Sequence, residues 1–179
     1  MEQIKEYPKF NLLCQFIYHT CARPREIRKL KVGSIQGNYV KFRADETKTK
    51  TKDEVLINDE LRKIIDSMEL DKADKNDYLF SNNMQNEDGK HVWGKHPLYV
   101  NYGSNFFREN ILKPIGLYEN TGYNLYSFKA TSNCHKLLDG WSLIEIQRLN
   151  RHSSPSATER YIKKLAKYIK LDKKPNRTI

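Results

Sequence analysis

Apolar side chains at Phe10, Leu13, Cys14 and Ile17 recur at i, i+3, i+4 and i+7, which predicts an amphipathic helix over residues 7–21. Pro24 suits the first turn of a second helix that runs to about Leu30. The period then changes. Gly37 and Asn38 read as a turn, residues 39–43 alternate apolar and polar, and residues 54–57 read as a return strand. Together they predict a small antiparallel hairpin whose tip, residues 47–53, is polar and rich in lysine. Asn58 caps a helix with Leu61, Ile64, Ile65 and Met68 on one face. Tyr78, Leu79 and Phe80 read as a small strand, and residues 81–97 as a polar loop. Residues 98–115 read as a helix anchored by Phe106, Phe107, Ile111 and Leu112, with Gly103 weakening its middle.

The last third of the chain carries its own helix punctuation. An apolar run closes at Leu137 and Leu138, and Gly140 supplies a stop. Ser142 and Glu145 form a capping box that opens a short helix through Leu149. Ser154 and Pro155, overlapped by Ser156 and Glu159, open another, which puts Tyr161 early in a helix. Beyond it Ile162, Leu165, Ala166 and Ile169 form an apolar stripe with lysines opposite. That stripe packs either on the chain's own core or on a neighbouring copy. The expected fold is mainly α with a small antiparallel β-sheet (α+β), six or seven helices in all.

Composition narrows the partners. The chain has 179 residues, enough for one domain with a sizeable core, and a formal net charge of +10. That excess points to a polyanion, nucleic acid first. Residues 159–179 hold eight Lys or Arg against two acids, so the positive charge gathers beside Tyr161. Cys14, Cys21 and Cys134 are odd in number and form no C-x-x-C pair, which reads as reduced thiols in a cytoplasmic protein. His91 and His96 lack a Cys or acid at ligand spacing and read as loop residues. No apolar run reaches membrane-spanning length, and no nucleotide-binding glycine motif is present.

Residues 126–161 hold the candidate chemistry. Tyr126 and Lys129 stand as Y-x-x-K, Gly140 follows, His152 lies in N-R-H-S-S, and Tyr161 comes nine positions after His152 in T-E-R-Y. This layout resembles the C-terminal motif of the tyrosine recombinases, the phage-integrase family. The family pattern is H-x-L-R-H-T, a Gly, L-G-H, and a Tyr nine residues on. Gly140, His152 and Tyr161 match it, while Tyr126, Lys129 and Ala130 stand where the family has His, Arg and His, and Thr131 keeps the Thr. The variant flavour resembles a divergent branch found in mobile elements. Upstream, C-A-R-P-R-E-I-R-K-L is similar to the family's G-L-R-x-x-E-L-x-x-L, with Arg23, Glu26, Ile27 and Leu30 in register. The family's hairpin lysine falls on Lys48, or on Lys50 after a small register change.

The resemblance implies a DNA strand transferase. Tyr161 would attack a phosphodiester and form a 3′-phosphotyrosine ester, which keeps the bond energy for rejoining. Arg23 and Lys129 would hold the phosphate oxygens, Lys48 would protonate the leaving 5′-oxygen, and His152 would bond the phosphate or orient Tyr161. Tyr126 would add a hydrogen bond. Arg25, Lys50, Lys52, Arg151, Arg160 and Lys163 are expected to contact DNA. No metal and no cofactor is expected. The partners are double-stranded DNA and further copies of the chain, four in the recombining complex. The resemblance covers most of the chain and begins where the family's catalytic domain would. Residues 1–179 are therefore expected to be one catalytic domain, without the family's N-terminal DNA-clamping domain, and a fragment of a longer protein. Two alternatives stay open. One is a DNA-binding protein with weak or no catalysis, motivated by Lys129 and Ala130. The other is a topoisomerase of the type IB kind.

Overall fold

The computed structural model describes residues 2–43, 53–85, 91–119 and 121–166. Its elements in chain order are α1 (Glu2–Lys5), α2 (Pro8–Thr20), α3 (Pro24–Ile27), β1 (Ile35–Gln36), β2 (Tyr39–Phe42), β3 (Asp53–Leu56), α4 (Asp59–Asp66), α5 (Tyr102–Phe106), α6 (Tyr126–Leu138), α7 (Leu143–Asn150) and α8 (Pro155–Ala166). Helices dominate, and the strands form one small antiparallel sheet in the order β1-β2-β3.

Helix α2 is the centre of the core. Its apolar stripe, Phe10, Leu13, Cys14, Phe16 and Ile17, is buried. It packs against α4 on one side and α6 on the other. Phe10 meets the rings of Phe106 and Phe107, and Phe16 meets Phe80 edge-on at 5.4 Å. Burial of each such ring contributes about 1.5–3 kcal/mol, so this stripe accounts for much of the core. Where α2 ends, Cys21 takes a left-handed conformation (φ 49°), and Arg23 then leads into α3.

The sheet shows the alternation that the sequence predicts. Val40 and Phe42 of β2 point inward, with Tyr39 and Lys41 outward, and Val40 pairs with Val55 of β3. Gly37 supplies the positive φ of the β1–β2 turn. The hairpin tip that carries Lys48, Lys50 and Lys52 lies outside the described residues. Asn58 caps α4 by accepting the Leu61 backbone N–H at 2.9 Å, a contact worth about 1 kcal/mol.

Three expectations need correcting. The helix placed over residues 98–115 starts only at Tyr102 and changes to a π-helix over Phe107–Leu112. Gly103 lies near its start, not its middle, and is a contact glycine: a Cβ there would come within 2.6 Å of the Leu125 side chain. Helix α3 ends at Ile27, short of Leu30. Tyr161 lies well inside α8, about two turns from its start at Pro155.

Helix α6 inverts the usual burial pattern. The residues it buries are Lys129, Ser132, Asn133 and Lys136, at i, i+3, i+4 and i+7. A polar stripe thus faces the end of α2, while Leu138 stays exposed. Buried polar groups need partners, and Ser132, Asn133 and Lys136 find theirs in Cys21, Asn150 and one another, whereas the Lys129 ammonium finds none among the described residues.

Candidate active site

Arg23, Tyr126, Lys129, His152 and Tyr161 line one cleft of about 730 Å³, with Asn124, Lys163 and Lys164 at its rim. Four elements or junctions deliver them: the α2–α3 junction, the start and first turns of α6, the α7–α8 link and the middle of α8.

Arg23 is fixed from below. Its guanidinium donates to Glu26 Oε1 at 2.7 Å, and its backbone N–H donates to Glu26 Oε2 at 2.8 Å. Glu26 is fully buried. Burial alone would raise its carboxyl, but Arg151 and then Arg23 outweigh this and hold it below the ordinary range. It is therefore a carboxylate, and it receives a second guanidinium: Arg151 Nη2 donates to Oε2 at 2.8 Å.

Tyr126 opens α6. Asn124, just ahead of the helix, ties down its start: its Oδ1 accepts the Tyr126 N–H at 2.8 Å while Ser127 Oγ accepts the Asn124 N–H at 3.1 Å. The phenol stays exposed at the cleft.

One turn on, Lys129 is 5% exposed, and its Nζ is buried with no hydrogen-bond partner among the described residues. Burial, helped by Arg151 and Arg23 and opposed by Cys21 and Glu26, lowers its pKa from the ordinary 10.5 to about 8. A desolvated ammonium without a partner is costly. An anion delivered to the cleft would relieve that cost.

His152 follows α7 directly. Its Nδ1 shares a hydrogen bond with Thr158 Oγ1 at 2.9 Å. Burial first, then Lys129, Arg23 and Arg151, lower its pKa to about 4, so the imidazole is neutral at neutral pH. Its ring meets Tyr161 edge-on, with centroids 5.8 Å apart. Burial raises the Tyr161 phenol above its ordinary pKa, Cys21 and Cys134 add to this, and the nearby Asn133 amide draws it partly back. The phenol is protonated before any substrate binds.

Asn133 is the hub behind the nucleophile. Its amide donates to the Lys129 carbonyl at 2.7 Å and to Asn150 Oδ1 at 3.3 Å, and Asn150 returns a hydrogen bond to Asn133 Oδ1. Asn150 also donates to the Ile146 carbonyl at 2.9 Å. The pair joins α6 to α7 beneath Tyr161.

A cleft with two cations, a neutral imidazole and a phenol can bind a phosphodiester and attack it. The phage integrase family model matches residues 4–167. The chain belongs to the phage integrase family. Its class is therefore that of the tyrosine recombinases, which act in DNA integration and recombination. A comparison with curated proteins finds no match.

The expected contacts of this family member divide into three groups. Arg25, Arg160 and Lys163 are exposed, and Lys163 borders the cleft. Lys48, Lys50 and Lys52 fall outside the described residues. Arg151 is a correction: its side chain is 3% exposed and committed to Glu26, so it is not the exposed basic residue that a direct contact with DNA calls for. Its neighbours in sequence are polar and basic, and its partner stands 125 residues away, so nothing local marked it as buried.

Sequence reasoning also gave no role to Glu26, Asn133, Asn150 or Thr158. Glu26 could have been found, because it lies in the Arg23 motif. Thr158 could too, because it sits one turn before Tyr161. The Asn133–Asn150 pair carries no sequence signal of its own. Among the described residues no helix is long and apolar enough to cross a membrane.

Proposed function

We propose that the chain is a site-specific DNA recombinase that cleaves and rejoins duplex DNA through a 3′-phosphotyrosine on Tyr161. The observation that carries this reading is the Lys129 ammonium, without a hydrogen-bond partner among the described residues and buried in the same cleft as Arg23, His152 and Tyr161. A scissile phosphate would take both cations. Its negative charge would stabilise the protonated Lys129, while the cations would favour the Tyr161 phenolate that attacks.

In the forward step the Tyr161 phenol gives its proton to water in the cleft, its oxygen bonds to phosphorus, and the bond from phosphorus to the 5′-oxygen breaks. The leaving oxygen takes a proton, which we assign to Lys48 or Lys50 of the hairpin tip. His152 is neutral and serves best as a hydrogen-bond partner of the phosphate or the phenol; a base with its pKa near 4 is weak at neutral pH. Tyr126 lends its phenol to the phosphate. Rejoining runs the same steps from a new 5′-hydroxyl. We assign DNA contacts to Arg25, Arg160, Lys163 and the hairpin lysines. We also assign assembly of several copies on paired sites, since a single copy holds one nucleophile.

The test uses the full chain and a pool of nicked duplexes with randomised sequence around the nick, so that a short 5′-hydroxyl fragment leaves and the adduct accumulates. The expected result is a denaturation-resistant protein–DNA adduct that maps to Tyr161 and is lost in Tyr161→Phe, with binding retained. An adduct on another tyrosine, or salt-sensitive binding without any adduct, would overturn the reading, and the second outcome would favour a non-catalytic DNA-binding protein. Relaxation of plasmids without a preferred site would favour the topoisomerase reading.

A further inference from the structure

Arg151 stands where α7 ends, with φ 54° and ψ 46°. Glycine adopts that left-handed conformation freely, and a residue with a Cβ is strained there. The side chain also turns inward, although an arginine at a helix end reaches water with ease. Its guanidinium lies over the Phe42 ring at 4.2 Å. Nη1 donates to the Thr20 carbonyl at 3.2 Å and to the Leu149 carbonyl at 3.3 Å, and Nη2 donates to Glu26. Nε is buried without a hydrogen-bond partner among the described residues. Backbone strain, a buried charge and an orphaned N–H are a poor solution for packing alone.

We propose that Arg151 is a positioning residue that supplies a second positive charge to Glu26, so that Arg23 keeps its own for the phosphodiester. The inference rests on the recombinase reading above and deepens it. Glu26 Oε1 takes the Arg23 guanidinium and Oε2 takes Arg151. One carboxylate between two guanidiniums leaves a net charge of one at the floor of the cleft. Without Arg151 the Arg23–Glu26 pair is neutral. Arg23 would then meet a phosphate already compensated, and the cleft would depend on Lys129. Arg151 does not line the cleft itself and acts from behind, through Glu26.

A double substitution can reverse this charge balance. Arg151→Met removes the cation and keeps an apolar stem over Phe42. The expected result is an adduct formed about tenfold more slowly or worse, with KM raised less than kcat falls. Glu26→Gln combined with Arg151→Met removes both charges, frees Arg23 again, and should recover most of the rate. A packing role predicts the opposite, because the double variant loses more bonds than the single one. The proposal is overturned if the double variant is as slow as Arg151→Met, or if Arg151→Met reacts like the natural protein. Arg151→Lys keeps the charge. If Arg151→Met fails to fold, as a thermal melt would show, Arg151→Lys should stay within a few-fold of the natural rate and the double variant should still react; failure of both overturns the proposal.

A second readout needs neither DNA nor turnover. Arg151 is one of the cations that depress His152, together with Lys129 and Arg23. Titration of His152 by NMR should show a rise in Arg151→Met and a return in the double variant. If the natural protein forms no adduct, the recombinase reading falls while this titration still tests the charge balance. A His152 that rises and does not return overturns the balance on its own.

Discussion

The imidazole of His152 meets the ring of Tyr161 edge-on, the planes 85° apart and the centroids 5.8 Å apart. His152 Nδ1 shares a hydrogen bond with Thr158, which belongs to the same helix as Tyr161 and lies one turn before it. Thr158 therefore ties the imidazole to the helix that carries the nucleophile. Thr158→Val keeps the shape and removes the hydroxyl. We expect adduct formation to slow by up to about tenfold and stability to fall by about 1 kcal/mol, the worth of one hydrogen bond. Binding of nicked duplex should change by less than about twofold, because no charge is lost. Single-turnover kinetics, a thermal melt and a binding titration separate the three effects. Unchanged kinetics would mean that packing alone orients His152.

Lys129 predicts opposite pH trends for stability and for binding. Its pKa in the folded chain is about 8 against an ordinary 10.5, so between those values the unfolded chain holds the proton more firmly. Stability of the DNA-free protein should therefore rise with pH across this window, as a penalty on the order of 3 kcal/mol is relieved. Below about pH 8 the penalty is present in full. DNA affinity should fall over the same rise, because the cleft loses a cation. Lys129→Arg keeps its charge throughout, so its affinity should stay level across this window. Denaturant melts and duplex binding at matched salt test both trends. Parallel trends in the natural protein would show that Lys129 does not face the DNA.

Tyr126 gives a milder expectation. Its phenol is exposed at the mouth of the cleft, where it can donate to a phosphate. Tyr126→Phe should slow adduct formation by a few-fold, the effect of one neutral hydrogen bond of about 1 kcal/mol, and leave the melting temperature unchanged. A large loss of stability would instead show that the phenol supports the start of α6.

Much of the fold was legible where burial follows apolar periodicity. Helix α2 buries the stripe read from Phe10 to Ile17, and the capping residues Asn58 and Ser142 open α4 and α7. The gathering of Arg23, Lys129, His152 and Tyr161 was legible because motif spacing survives even where periodicity is weak. Three things were hidden. Helix α6 buries its polar face, so rules that seek apolar stripes turn it the wrong way. The π-helical stretch after α5 begins where Phe106 and Phe107 meet Phe10, a contact that no local pattern encodes. Arg151 was read by the company it keeps in sequence, whereas its position is decided by a carboxylate on α3.

The Asn133–Asn150 pair offers the sharpest test of that hidden polar layer. Both amides are fully buried, and each hydrogen-bonds the other as well as a backbone carbonyl. Truncating one leaves the other without its partner, which costs about 1–3 kcal/mol beyond the lost packing. Asn133→Ala and Asn150→Ala should each be destabilising by that order. The double variant should be less destabilised than the sum of the two, with a coupling of about 1 kcal/mol or more, because it leaves no orphaned amide facing a partner. The two substitutions should differ in catalysis. The Asn133 amide lowers the phenol pKa of Tyr161, so Asn133→Ala should raise it further and shift the rise of adduct rate with pH to higher pH. Asn150→Ala touches the phenol only through Asn133 and should shift the profile less. Equal shifts in the two variants would mean that the pair acts as one rigid support for α6 and α7, and that the Asn133 amide has no influence of its own on the nucleophile.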